Sequence, residues 1–246
     1  MNTAANYDSL RHFERAFNRG RPALLYHKID RFKTGVRRRG LYVSPRSFRA
    51  QLHELRQAGF QMTAAGSPEP RAGERQVVIT FDDGFASVFE NALPVLQECG
   101  GRAINFLVSG RLGGVNTWDL AEGERPEPLM DTAQVRDWLA AGQDIGAHSV
   151  THAHLTQLPL AEAREEITAS KKALEDRFAR AVTDFAYPYG EMNPMIRELV
   201  AEAGFARAWS TEPQVITPEA DPFALPRFPV VVSLRQPLNL LRSFLR

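Results

Sequence analysis

The run Val77-Val78-Ile79-Thr80-Phe81 constrains this chain more than any other stretch. It is apolar, β-branched or aromatic almost throughout, short for a helix, and suited to a buried strand. Asp82 and Asp83 follow at once, then Gly84, which lets a backbone turn sharply. Taken alone, Asp-Asp-Gly also suits a solvated turn. Packing, however, does not explain two adjacent carboxylates at the C-terminal end of a buried strand, the edge where α/β proteins bind ligands.

A second stretch, Gly146-Ala147-His148-Ser149-Val150-Thr151-His152, has the same form. Two histidines four residues apart share one face of a helix, and they also converge where a strand end enters a tight loop. One carboxylate and two imidazoles are a common ligand set for a catalytic zinc or similar divalent ion, with positions left open for water and substrate. His154 lies close by and reads as a loop residue.

The rest of the chain alternates strand-like and helix-like segments. Pro22–His27, Ala103–Val108, Asp144–Ala147, Asp184–Tyr187, Phe205–Trp209 and Phe228–Val232 read as strands. Ser44-Pro45 starts a helix with apolar Phe48, Leu52 and Leu55, and Ala86–Gly100 is helical with Pro94 as a kink or restart. This alternation indicates βα units and a parallel sheet. A chain of 246 residues, 43% hydrophobic, fits a single barrel domain. The net charge of +1 gives no reason to expect nucleic acid. The one cysteine, Cys99, excludes an intrachain disulfide. Residues 1–20 lack an apolar signal-peptide core, and no run has the length of a membrane span, so the expected compartment is the cytoplasm.

Three segments, Thr80–Phe85, His148–His152 and Phe185–Gly190, resemble in order the signature motifs of the polysaccharide deacetylase family, also called the NodB-homology group. The resemblance implies a distorted (β/α) barrel of about seven parallel strands. It implies a hydrolase that removes N-acetyl groups from an acetamido sugar, in a polysaccharide, an oligosaccharide or a lipid-linked precursor. It implies a divalent metal, zinc first and cobalt, nickel or manganese as alternatives, held by Asp83, His148 and His152, with Asp82 as general base. Tyr26-His27 is similar to a pair found in branches that act on biofilm polyglucosamine, which makes His27 the candidate acid. Backbone N–H groups near Tyr189 are candidates for the oxyanion site. Trp118, in the long irregular segment 110–129, reads either as a platform for a sugar ring or as a cover on the barrel rim. The sequence departs from the family pattern twice. No arginine precedes Pro188-Tyr189, so Arg227 is the candidate that orients the base, and of the usual Asp and Trp of the fourth motif only Trp209 is present, which with Tyr189 and Trp118 is a candidate for binding the substrate.

Two other readings use the same residues: a deformylase or non-sugar amidase, and a silent sugar-binding barrel. The expected layout is a helical extension over 1–21, the deacetylase domain over 22–232 and an amphipathic tail over 233–246. Leu10, Phe13 and Phe17 with interleaved arginines form one basic amphipathic end, and Leu238, Leu241, Phe244 and Leu245 form the other. Such ends either pack on the barrel or touch the inner face of a membrane. Arg37-Arg38-Arg39 reads as a solvated loop or as a contact for an anionic part of the substrate. No obligate protein partner is expected.

Overall fold

The structure is a computed structural model that describes residues 7–230 apart from Glu69 and Ala72. In chain order it contains α1 (Leu10–Phe17), β1 (Ala23–Tyr26), β2 (Lys28–Ile29), β3 (Tyr42–Val43), α2 (Pro45–Gln57), β4 (Phe60–Thr63) and β5 (Arg75–Phe81). There follow α3 (Leu93–Cys99), β6 (Ala103–Leu107), α4 (Thr132–Ala140), β7 (Asp144–Ala147), α5 (Leu160–Phe178), β8 (Asp184–Ala186), α6 (Pro194–Glu202), β9 (Arg207–Trp209) and β10 (Phe228–Pro229). The tail over 233–246 lies outside the described residues.

Local chemistry sets the helix starts. The Ser44 hydroxyl accepts the Ser47 N–H at 3.0 Å, and Pro45 opens α2. Asp131 and Gln134 form a reciprocal capping box on α4. Pro94 restarts the helical stretch: a wide turn over Val88–Ala92 precedes α3, and the proline sits in the first turn, where its missing N–H costs nothing.

The main sheet runs β10-β1-β5-β6-β7-β8-β9, with every pair parallel, and β4 pairs with the first half of β5. It curls into a half-barrel. Between β9 and β10, Pro222–Leu225 runs beside β9: the Ala208 and Ser210 N–H groups bond to Pro222 and Leu225 carbonyls at 2.7 and 2.8 Å. Side chains alternate across each strand. Val77, Ile79 and Phe81 join the large core under the helices. Val78 joins a smaller interior cluster with Ala23, Ile104, Phe106, Ala186, Trp209 and Leu225.

Leu10, Phe13 and Phe17 of α1 are buried in the larger core, where Phe17 meets Phe60 and Phe228. The apolar face of α1 is thus occupied by protein and unavailable to a lipid surface. Among the described residues no helix is long and apolar enough to cross a membrane.

Gly146 on β7 faces the interior. A β-carbon there would lie 2.4 Å from the Phe106 ring and 2.9 Å from the Asp184 carbonyl oxygen. The ring has packed neighbours and the carbonyl belongs to β8, so neither yields cheaply. Gly146→Ala is expected to lower the unfolding free energy by about 1–3 kcal/mol. Urea denaturation reads this, and an unchanged midpoint would show that β7 and β8 do not pack this closely.

Candidate active site

The alternation that buries β5 also places its acids. Val78, Thr80 and Asp82 point to the interior. The next residue breaks the strand: Asp83 has φ 77° and Gly84 φ 80°. Two consecutive left-handed residues redirect the chain, so Asp82 and Asp83 face different groups. Parallel pairing brings the other strand ends to the same edge. Tyr26 pairs with Phe81, which sets His27 beside Asp82, and the His148 N–H bonds to the Leu107 carbonyl at 2.9 Å.

Asp83, His148 and His152 converge there, all buried, with one ligand atom from each lying within 4.8 Å of the others. Asp83 Oδ1 lies 3.4 Å from His148 Nε2 and 3.2 Å from His152 Nε2. His148 Nδ1 donates to the Ala186 carbonyl at 2.7 Å, which turns Nε2 toward Asp83. His152 Nδ1 has no hydrogen-bond partner. Its ring is held by Trp118, stacked at 4.6 Å, and by the edge of Tyr189 at 4.5 Å. Burial works to raise the Asp83 pKa, but the His148 and His152 imidazoles facing its Oδ1 hold it well below the usual carboxylate range. Burial works to lower the His148 pKa, yet Asp83 and Asp82 lift it above the ordinary value. Asp83 Oδ1 is buried and makes no well-formed hydrogen bond. A negative, water-poor point shared by a carboxylate oxygen and two imidazole nitrogens suits a divalent cation, so the residues present fit a metal of the zinc type.

Asp82 is held from the other side. Arg227 is fully buried, and its guanidinium grips both carboxylate oxygens at 2.7 and 2.8 Å. Its Nη1 also reaches Thr80 Oγ1 at 3.2 Å, and its Nε reaches the Ser210 carbonyl at 2.8 Å. Burial would raise the Asp82 pKa, but Arg227 first, with His148 and His27, keeps it below the usual range. Burial pushes the His27 pKa below its ordinary value, against the pull of Asp83 and Asp82.

These groups line one cavity of about 280 Å³ that takes in His27, Asp82, Asp83, His148, His152, Trp118 and Tyr189, with Arg38, Asp119 and Thr211 on its walls. Tyr189 is left-handed at φ 60°, and His154 stacks on it at 3.7 Å while bonding Glu191 at 3.0 Å. His154 is therefore outside the ligand cluster. Trp209 departs from the sequence expectation. It is fully buried in the interior cluster, and its indole N–H donates to Asp184 at 2.9 Å, so no substrate reaches it. Because β9 packs against β8 along its length, its last side chain fills the barrel instead of lining the cavity.

The sequence profile of the polysaccharide deacetylase family matches residues 69–208. The chain belongs to the polysaccharide deacetylase family. It is 26% identical to YxkH of Bacillus subtilis, a protein provisionally named a polysaccharide deacetylase, over 84% of this chain and 70% of that one. It is 27% identical to the poly-β-1,6-N-acetyl-D-glucosamine N-deacetylase of Staphylococcus aureus over 63% of this chain, and it spans only 54% of that enzyme's length. The structure of IcaB from Ammonifex degensii superposes with a TM-score of 0.72 at 25% identity, covering 87% of this chain and 92% of that one.

Several residues that support this site carry no motif. Glu166 on α5 accepts the Val150 and Thr151 N–H groups at 2.9 Å each and the Thr151 hydroxyl at 2.7 Å, which clamps the loop between the two histidines. The helical spacing places Glu166 beside the buried Ile167 and Ala163 without revealing its target. Lys28 is 2% exposed, with its ammonium over the Tyr42 and Phe85 rings at 4.7 and 4.5 Å. Its neighbour Tyr42 donates to Glu127 at 3.1 Å. A lysine directly after Tyr26-His27 was the one available signal.

Arg227→Met would leave the Asp82 charge buried and unpaired, and is expected to cost about 3–5 kcal/mol of stability in denaturant titrations. Arg227→Lys keeps the charge but loses the two-pronged grip, so it should fall between Arg227→Met and the parent protein. A fully stable Arg227→Met protein would show that Asp82 is not charged there.

Proposed function

We propose that this chain is a metal-dependent hydrolase that removes the acetyl group from an acetamido sugar in a glycan. The observation that carries the reading is the pairing of two devices in one cavity: a ligand triangle of Asp83, His148 and His152, and beside it a carboxylate, Asp82, fixed by a buried arginine. A divalent ion bound by the three ligands would polarise the amide carbonyl and acidify a water. The chain's own residues do the rest. Asp82 takes the proton as the water oxygen forms its bond to the carbonyl carbon. Both Asp82 oxygens are bonded to Arg227, so the carboxylate cannot rotate away, and each keeps a second lone pair for the incoming proton. His27 is placed on the same cavity wall to protonate the nitrogen as the C–N bond breaks, giving acetate and a free amine. The cavity face of Trp118 is occupied by His152, so a sugar meets the outer face or the edge of the indole.

Membership of the family and the likeness to a polyglucosamine deacetylase support a glycan substrate. The test is release of acetate and free amine from N-acetylglucosamine oligomers, with and without chelator. Chelation should abolish turnover, and added zinc or cobalt should restore it. Asp83→Ala, His148→Ala and His152→Ala should each lose bound metal, as measured by elemental analysis, whereas His154→Ala should keep it. Asp82→Asn should keep the metal and lose about 10²–10⁴ in turnover. Chelator-resistant turnover would refute the metal role, and near-normal turnover of Asp82→Asn would refute the base.

His27→Ala should likewise keep metal and lose turnover, with a smaller loss on esters or anilides whose leaving groups need little protonation. An equal loss for every leaving group would remove His27 as the acid.

A further inference from the structure

The loops beside the cavity separate their charges by depth. The acids Asp119, Glu124 and Glu127 are 2%, 5% and 6% exposed. Each is turned inward to hold the loops together. Glu124 accepts the Arg37 and Arg38 N–H groups at 2.8 and 2.5 Å, Asp119 accepts the Asn116 amide at 3.0 Å, and Glu127 accepts Tyr42 and Lys33 at 3.1 and 2.6 Å. The cations of the same loops face outward: Arg31, Lys33, Arg37, Arg39 and Arg125 are exposed. Arg38 is half-buried and lines the catalytic cavity, with Nη1 3.4 Å from Asp119. The net charge of +1 conceals this segregation.

The rim is also shaped. Arg38 and Leu41 line the catalytic cavity, while Arg39 and Tyr42, the residue after each, line a second hollow of about 310 Å³. Asp30, Arg31, Phe32, Ser44 and Ser47 complete that hollow. Phe32 is 47% exposed, and the Arg39 guanidinium lies over its ring at 5.1 Å. An exposed aromatic face beside two guanidinium groups offers stacking to a sugar ring and hydrogen-bond donors to an oxyanion on it. The one acid in the lining, Asp30, accepts the Arg31 N–H at 2.7 Å and lies 3.7 Å from Lys33, whose shorter contact is with Glu127, so two guanidinium groups face a single carboxylate.

Resting on the reading of the cavity as a deacetylase site, we infer that this rim binds an oxyanion of the substrate: a carboxylate or phosphate carried by the glycan on a unit next to the reacting acetamido sugar. The chemistry of the product gives the reason. Each turnover converts a neutral amide into an ammonium group. A plain acetamido homopolymer would thus become a polycation, which a wall of arginines repels. A chain with one acid per reacted unit would leave neutral overall, and its acid would pair with the rim before and after reaction.

The test uses the full chain, loaded with metal, and acetamido oligosaccharides of equal length: one neutral, one with a carboxylate and one with a phosphate on the neighbouring unit. An acid-bearing oligosaccharide should show a kcat/KM about three- to tenfold above the neutral one, as two exposed ion pairs allow. The advantage should shrink as salt is raised from about 0.1 M to 1 M, where screening shortens to about 3 Å. The double variant Arg31→Gln/Arg39→Gln should raise KM for the acid-bearing substrate and leave kcat/KM for the neutral one within about twofold. The two acid arms show which oxyanion the rim prefers. Equal rates on all three substrates, or equal losses on all three in the double variant, would overturn the inference while leaving the deacetylase reading intact. If no acetate is released at all, that reading fails. Calorimetric titration of the same oligosaccharides into the parent and double-variant proteins then still tests the rim, because binding needs no turnover. Tighter association with anionic vesicles than with any oligosaccharide would assign the rim to a membrane and also overturn the inference.

Discussion

A buried guanidinium that holds two oxygens of a buried carboxylate at 2.7 and 2.8 Å is the contact on which the site depends. Carboxylates buried without a partner take up a proton or force the structure open. Arg227 removes that penalty for Asp82, and its remaining donors tie the pair to Thr80 on β5 and to Ser210 beyond β9. The interior of the half-barrel is thus crossed by a polar bridge in place of another layer of apolar side chains. That arrangement keeps a charged carboxylate on the same cavity as the ligand triangle while leaving it only 3% exposed.

The triangle is held by backbone that is far from relaxed. Among the described residues, five that are not glycine have positive φ, and four of them, Asp83, Ser149, His152 and Tyr189, surround the cavity. Each such residue costs roughly 1 kcal/mol or more and persists only where neighbours over-determine it. Those neighbours are identifiable. Ser149 Oγ accepts the His152 N–H at 2.9 Å, Glu166 holds the residues between, and the His154 ring holds Tyr189.

Much of this was legible in the amino-acid order because it obeys short-range rules. The apolar run before Asp82, the glycine after Asp83 and the four-residue spacing of His148 and His152 each follow from strand period or turn geometry. Ser44-Pro45 marks a helix start by local hydrogen bonding alone. Arg227 was reachable only as a replacement for the arginine missing before Pro188-Tyr189. Trp209 was misread because a tryptophan near a strand end has the same sequence appearance whether it fills a barrel or lines its mouth. Glu166 and Glu124 were invisible, because their roles depend on which distant loop folds over them and a glutamate between helical or loop neighbours looks like ordinary solvated charge; Lys28 was marked only by its place after Tyr26-His27.

The order in which the polar bridge can arise follows from its ends. Arg227 and Asp82 stand 145 residues apart in sequence, and Arg227 is delivered by the segment that enters β10 beside β1. Contacts of such long sequence separation form late, because the chain between them must first be ordered. On an emerging nascent chain, β1, β5 and β6 can assemble before residue 227 exists. Until it arrives, the aspartate has no counter-ion and the interior stays wet. Closing the half-barrel and fixing the Asp82 carboxylate are consequently a single event, because one side chain, Arg227, does both.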